Sequence, residues 1–146
     1  MLNIKTVKYK DAIAPIEEIR VRVFQQEQGV AAELEFDGLD EGAIQLLAYW
    51  DDRAVGTARI RELTVDTAKI ERLAVLPEAR KQGIGKKLMQ TALEIIEREN
   101  KTKAIVHAQS YIADLYKQLG FKTVGEEFSE AGIVHVKMSK QLSHND

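Results

Sequence analysis

Residues 68–76, AKIERLAVL, end in a run that is apolar on successive positions. Strand side chains alternate between two faces, so a strand that is apolar on both must be covered on both. This one segment excludes an open sheet with one wet face and demands helices packed on either side. Two segments fit that demand. Residues 84–99 carry Ile84, Leu88, Ala92 and Ile95 at helical spacing, and residues 11–28 do the same with Ile13, Ile16, Ile19, Val23 and Phe24.

The remaining pattern fills in a mixed sheet. Residues 3–9 read as a first strand, and 44–50 and 54–61 as a hairpin around Asp51, Asp52 and Arg53. KAIVHA, 103–108, is a short buried strand. Residues 110–119 read as a helix with Ser110 as N-cap and Gly120 just past its end. FKTVGEEF and IVHVKM are two further strands joined around Glu130, Ala131 and Gly132, and residues 139–146 form a tail expected to fray. In the first helix Asp11 is the expected N-cap, and Pro15 sits near the first turn or interrupts it. The order β-α-β-β-β-α-β-α-β-β gives an α/β (α+β) fold. The 146 residues fit one domain, with no repeat or linker. Residues 29–43, holding Glu33, Glu35, Asp37, Asp40 and Glu41, make a loop long enough to suggest a functional role.

Composition removes several function classes. There is no cysteine, hence no disulfide framework, thiolate zinc site or cysteine nucleophile, which fits a reducing compartment. No apolar run approaches the roughly 20 residues of a membrane helix. The N-terminus lacks a signal-peptide pattern. A cytoplasmic protein without membrane association is expected. The net charge of −2 argues against broad nucleic-acid binding.

The most suggestive stretch follows the doubly apolar strand: RLAVLPEARKQGIGKKLMQ, residues 72–90. A helix begins near Gly83, and the first amides of a helix have no internal partner, so with the dipole they attract anions. Gly83 and Gly85 would let a phosphate approach the backbone, with Arg80, Lys81, Lys86 and Lys87 adding positive charge. A P-loop needs four residues between its glycines followed by Lys-Ser/Thr, and a dinucleotide fingerprint needs a third glycine where Leu88 stands. Both fail. On its own the glycine pair is equally a tight turn.

RKQGIG resembles the Arg/Gln-x-x-Gly-x-Gly/Ala motif of the GCN5-related N-acetyltransferase (GNAT) family. SYIADLYKQLGF, residues 110–121, is similar to that family's later tyrosine-bearing helix. VFQQEQGV and the acids after it look like a small bacterial ElaA/YjcF-like branch. The order of elements agrees along nearly the whole chain.

The resemblance implies a mostly antiparallel sheet whose central parallel strands, 70–75 and 103–107, splay apart. Acetyl-CoA is the implied co-substrate, with no metal. Its pantetheine arm would lie against Leu73, Ala74 and Val75, and its pyrophosphate against Arg80, Lys81, Gln82, Gly83, Ile84, Gly85, Lys86 and Lys87. Ser110 stands where many relatives carry asparagine. The implied acid for the leaving thiolate is Tyr116, and the implied oxyanion donor is the Val75 amide. A homodimer through the C-terminal strands is expected by the same analogy.

An attacking amine must lose a proton, since alkylamines have a pKa of about 10. The candidate bases are Glu71, His107 and Glu27, with a water chain as a further route. Glu71 is expected to share a face with Lys69 and Leu73, and is equally a salt-bridge partner of Arg72 or Arg61. A lone strand histidine such as His107 is more often structural, and His135 reads as a strand-face residue. Tyr116 without the resemblance is a core aromatic. Arg20, Arg22, Glu27, Gln28, Glu33, Glu35 and Asp37 are the polar groups on the acceptor side, with Arg22, Glu27, Gln28 and Glu33 the candidates for substrate contact. Their carboxylates would attract a cationic amine, although such acids are commonly just a solvated face. Arg22 is open to pairing with Glu27 or binding a substrate carboxylate. The acceptor is a small amine or a peptide or protein amine. The competing reading is an acyl-CoA-binding regulatory module without catalysis.

Overall fold

The computed structural model describes residues 1–142. The doubly apolar segment forms β4 (Thr67–Val75), inside an eight-stranded sheet. Its companions are β1 (Leu2–Val7), β2 (Ile44–Trp50), β3 (Arg53–Glu62), β5 (Lys103–Gln109), β6 (Lys122–Thr123), β7 (Phe128–Glu130) and β8 (Ile133–Gln141). The order is β1-β2-β3-β4-β5-β8-β6, with β7 also on β8. Only β4 and β5 run parallel. A parallel pair needs a crossover, supplied by α3 (Ile84–Arg98). This is the mixed, mostly antiparallel sheet with a central parallel pair that the resemblance implies.

Helices do cover both faces. Leu88, Met89, Ala92 and Ile96 of α3 join Ile70, Val106 and Met138 in one core. Ile16 and Ile19 of α1 (Ile13–Arg20) join Leu47, Ala74 and Leu76 in the other. No helix among the described residues is long and apolar enough to cross a membrane.

Several local expectations need correction. Asp11 is not an N-cap: it closes a 3-10 turn at Tyr9–Asp11, and α1 starts after Ala12 without a side-chain cap. Pro15 lies in the first turn of α1, where its missing N–H costs nothing. The first helix is not uniform to residue 28. From Val21 to Glu27 it widens into a π-helix, the Gln28 amide donating to the Val23 carbonyl five residues back. The loop 29–43 contains a short helix α2 (Ala32–Glu35), and two of its acids, Glu35 and Asp40, are buried. Ser110 is not the cap of α4 (Ala113–Gln118); it opens a 3-10 turn and gives its hydroxyl hydrogen to Glu127 at 2.9 Å. The segment 121–128 is broken between β6 and β7, where Gly125 takes φ +82°. Residues 139–142 are not frayed: β8 continues to Gln141, and buried Leu142 donates its amide to Thr102 at 2.9 Å. Positions 143–146 of the expected tail lie outside the described residues.

One irregularity sets up the site. Against β3, Glu71 pairs with Arg59 but Ala74 pairs with Thr57, so β4 carries an extra residue there. Arg72 takes φ +56°, a left-handed conformation unusual for a non-glycine residue. Such a bulge bends its strand and breaks the alternation of side chains. Glu71 and Lys69 share a face as expected, but Leu73 does not. Leu73 and Val75 pack toward the α3 core, and Ala74 toward α1.

Candidate active site

The β4–β5 ladder runs from Thr67–Lys103 to Ile70–Val106 and stops there. Beyond it β4 bulges and the strands part. A cavity of about 590 Å³ occupies the gap. Leu73, Val75, Arg80, Gly85, Leu115 and Tyr116 line one part; Arg61, Lys69, Glu71, His107, Glu130 and His135 line another. The π-helix supplies Val23, Phe24 and Gln28 to the wall. Gln28 also spans the opening, exchanging amide hydrogen bonds of 3.2 and 2.9 Å with Gln109 of β5.

At the α3 end, Gly83 takes φ +76° and no side chain caps the helix. The first intrahelical bond runs from the Lys87 amide to the Gly83 carbonyl. A Cβ at Gly83 would meet nothing within 4 Å, and one at Gly85 only a Val75 methyl at 3.8 Å. The turn thus presents uncapped amides to open space, which suits an anion. Arg80 leans across it, donating to the Val75 carbonyl at 3.0 Å and to Glu27 at 2.6 Å. Those bonds hold the Glu27 carboxyl below its ordinary range.

Three of the loop's five acids, Glu35, Asp37 and Asp40, are taken up by three arginines. Fully buried Arg20 donates to Glu35 and Asp40, both at 2.6 Å. Arg59, equally buried, forks onto Asp37 at 2.9 and 2.8 Å and reaches Asp40 at 3.2 Å. Arg72 donates to the carbonyls of Leu34 and Glu35 and to Asp37. These bonds clamp α2 and its loop over β3 and β4. The expected attraction of a cationic amine by Glu35 and Asp37 is corrected accordingly: their charge is already matched.

The network has a pH signature. Bonds from Arg59 hold Asp37 well below the usual carboxylate range. Burial pushes Asp40 and Glu71 up, but Arg20 for the first and Arg61 for the second, with Arg59 beside both, outweigh it and leave them lowered. Depressed carboxyls stabilise fully above their unfolded values, 3.8 for Asp and 4.5 for Glu, and lose that contribution as pH falls through the folded values. The carboxyl contribution to the melting temperature is therefore expected to stay level from pH 7 to about 5 and to fall steeply below about 4, measured by thermal melts across that range.

The other wall gathers groups from β5, β7 and β8. His107 Nδ1 lies 3.3 Å from Glu130, and His135 Nε2 lies 3.6 Å from the same carboxylate. Phe128 meets His107 edge-on at 5.1 Å and stacks on His135 at 5.9 Å. Burial and the Lys69 ammonium push the His107 imidazole below its ordinary 6.5, against the pull of Glu130. Tyr116 is almost wholly buried, edge-on to Phe121 at 5.9 Å, and burial pushes its phenol up. Its hydroxyl makes no hydrogen bond among the described residues.

A model of the acetyltransferase (GNAT) domain matches residues 9–142. The chain belongs to the GNAT family. YyaT of Bacillus subtilis (strain 168) is 36% identical over 147 residues, covering 99% of each chain. The uncharacterized N-acetyltransferase YjcF of the same organism is 32% identical, covering 84% of this chain and 87% of its own. The crystal structure of Escherichia coli ElaA matches with a TM-score of 0.85 at 24% identity, covering 96% of this chain and 99% of that one. The resemblance to ElaA and YjcF thus holds at the level of the full domain.

Against this GNAT frame the sequence candidates separate. Leu73, Ala74, Val75, Arg80, Gly85, Tyr116, Glu71, His107 and Gln28 all line the cavity. Gln82 and Ile84 face a smaller hollow with Trp50 and Glu78. Glu33 is exposed and does not line the cavity. Arg22 pairs neither with Glu27 nor with the cavity; it forks onto Glu78 at 3.0 and 2.8 Å. Glu71 is ringed by Arg61, Arg59 at 3.3 Å and Lys69 at 3.4 Å, while Arg72 turns away to the loop. The expected salt bridge from Glu71 to Arg61 is present, while Glu130, His135, Gln109 and Lys69 join the cavity wall without having been candidates for it. The signal that finds them is strand register, with Gln109 opposite His135 and Arg61 opposite Lys69.

Proposed function

We propose that this GNAT domain transfers an acetyl group from acetyl-CoA to a primary amine by direct attack. The observation that carries the reading is the early end of the β4–β5 ladder, which opens a cavity leading to the uncapped start of α3. The pyrophosphate would take the amides and cations between Arg80 and Lys87, and the pantetheine arm the free edge of β4 along Leu73 and Val75. The Val75 amide would meet the developing oxyanion. Tyr116 would protonate the leaving thiolate; its raised pKa keeps the proton available at neutral pH.

For the base, the surroundings favour His107. Burial and Lys69 lower the His107 imidazole, but it starts from 6.5 and lines the cavity, whereas Glu71 and Glu27 start from 4.5 and are lowered in turn by their cations. Lowered carboxylates are weak bases.

The test measures thiol release from acetyl-CoA across an amine panel, together with melting temperature at saturating coenzyme A. The expected result is release with at least one amine. Stabilisation should reach about 2.7 kcal/mol at a hundredfold excess over Kd. In addition, kcat should fall as pH drops through a value below 6.5, a limb missing in His107→Gln. Stabilisation without release from any amine would instead fit a non-catalytic acyl-CoA-binding module.

A further inference from the structure

We infer that the acceptor amine carries a carboxylate, received by Arg61 and Lys69 in the part of the cavity away from α3. This rests on the acetyl-transfer reading above and names its substrate class.

The argument begins with charge. Around Glu71 stand Arg59, Arg61 and Lys69, three cations on one carboxylate. Arg59 is compensated from behind by Asp37 and Asp40. Among the described residues Arg61 and Lys69 have Glu71 alone as an ion-pair partner. The other acids of the cavity wall lie against other partners: Glu35 against Arg20, Asp37 against Arg59 and Arg72, and Glu130 beside the imidazoles of His107 and His135. At Arg61 and Lys69 two cations thus share one carboxylate, and a partly buried cation that shares its counter-charge favours an anionic ligand.

Geometry agrees with charge. Arg61 uses its Nε alone, on Glu71, so both terminal nitrogens lack a hydrogen-bond partner among the described residues. Its side chain is a quarter exposed and lines the cavity. A guanidinium with its outer edge free suits a carboxylate. Lys69 sits opposite Arg61 on the adjacent strand, and its ammonium makes an ion pair but no hydrogen bond to Glu71. Lys69 also pairs with Ile105, two residues before His107 on the same face of β5. With strands about 5 Å apart, a carboxylate on Lys69 and Arg61 would leave an amine a few ångströms away within reach of His107. Lys69 precedes Val75 on β4 and lies on the far side of the bulge from α3, so this anion site is separate from the one at α3.

The test compares thiol release with amino acids, their primary amides and the matching amines without the acid group. An aminoalkyl phosphate is included to separate carboxylate from phosphate. Expected is a kcat/KM at least tenfold higher for the carboxylates than for the amides. Arg61→Gln should lose most of that preference, and Lys69→Glu should reverse it toward diamines. Coenzyme A should raise the melting temperature of both variants as it does the parent. Equal or better turnover of amides and plain amines would overturn the inference while leaving acetyl transfer standing, as would a phosphate preferred over the carboxylate. No release with any acceptor, despite stabilisation by coenzyme A, would overturn both.

Discussion

Arg20→Ala is expected to lower the unfolding free energy by about 3–5 kcal/mol, the usual cost of breaking a buried ion pair from one side. At this chain length that corresponds to a fall of about 10 °C in melting temperature. Arg20 has no exposed surface, and its guanidinium satisfies Glu35 through two nitrogens and Asp40 through a third. Alanine would leave Glu35 without a cation and Asp40 with Arg59 alone, both within the protein. Arg20→Lys should recover only part of the loss, because one ammonium cannot reproduce the fork. Urea unfolding of the two variants checks this: a lower midpoint at constant slope marks lost stability rather than a changed unfolded state. A midpoint for Arg20→Ala within about 0.5 kcal/mol of the parent would mean the loop is held by other means.

Tyr116→Phe is expected to reduce kcat by about a hundredfold, within the range usual for loss of a positioned acid. Coenzyme A affinity should change little, because the phenyl ring keeps its edge-on contact with Phe121 and its place in the core. Removing a hydroxyl that makes no hydrogen bond to the protein should also leave the melting temperature nearly unchanged. Steady-state kinetics with coenzyme A titrations separate these effects. A variant with undiminished kcat would remove Tyr116 from proton transfer and return it to the role of core aromatic. A variant that lost coenzyme A binding instead would make the hydroxyl a cofactor contact.

Local signals gave the fold and the end of the cavity at α3. The apolar run ending β4, the helical spacing of α3 and the glycines at its start each act over a few residues, and each is visible in the chain. The other end depends on long-range pairing. Glu71 could be seen as a candidate with Arg61 as a salt-bridge partner, but that Arg59 would also stand beside it follows from β3–β4 register. His107 was visible as a strand histidine, whereas Glu130 reaches it only because β7 folds back on β8 and β8 lies on β5. The acidic loop misled for a physical reason. Acids in a loop normally face water, and nothing in residues 29–43 reveals that Arg20 and Arg59 wait beneath them. Leu73 misled differently: alternation fails at a bulge, and Arg72 is not a residue type that advertises a left-handed backbone.

The cavity is framed by two elements that each hold one residue more than their regular forms. The π-helix of Val21–Glu27 has an extra residue in its turn, and β4 has one at Arg72. Shortening either by one would restore ordinary helical or ladder hydrogen bonding. The backbone would gain, and the bend that keeps β4 away from β5 would relax. Chain length is therefore under opposing pressures at these two points: stability favours the shorter segment and the open cleft the longer. Changes of length should be tolerated in the turn between β6 and β7 and resisted in these two walls, even where the residues themselves can be exchanged.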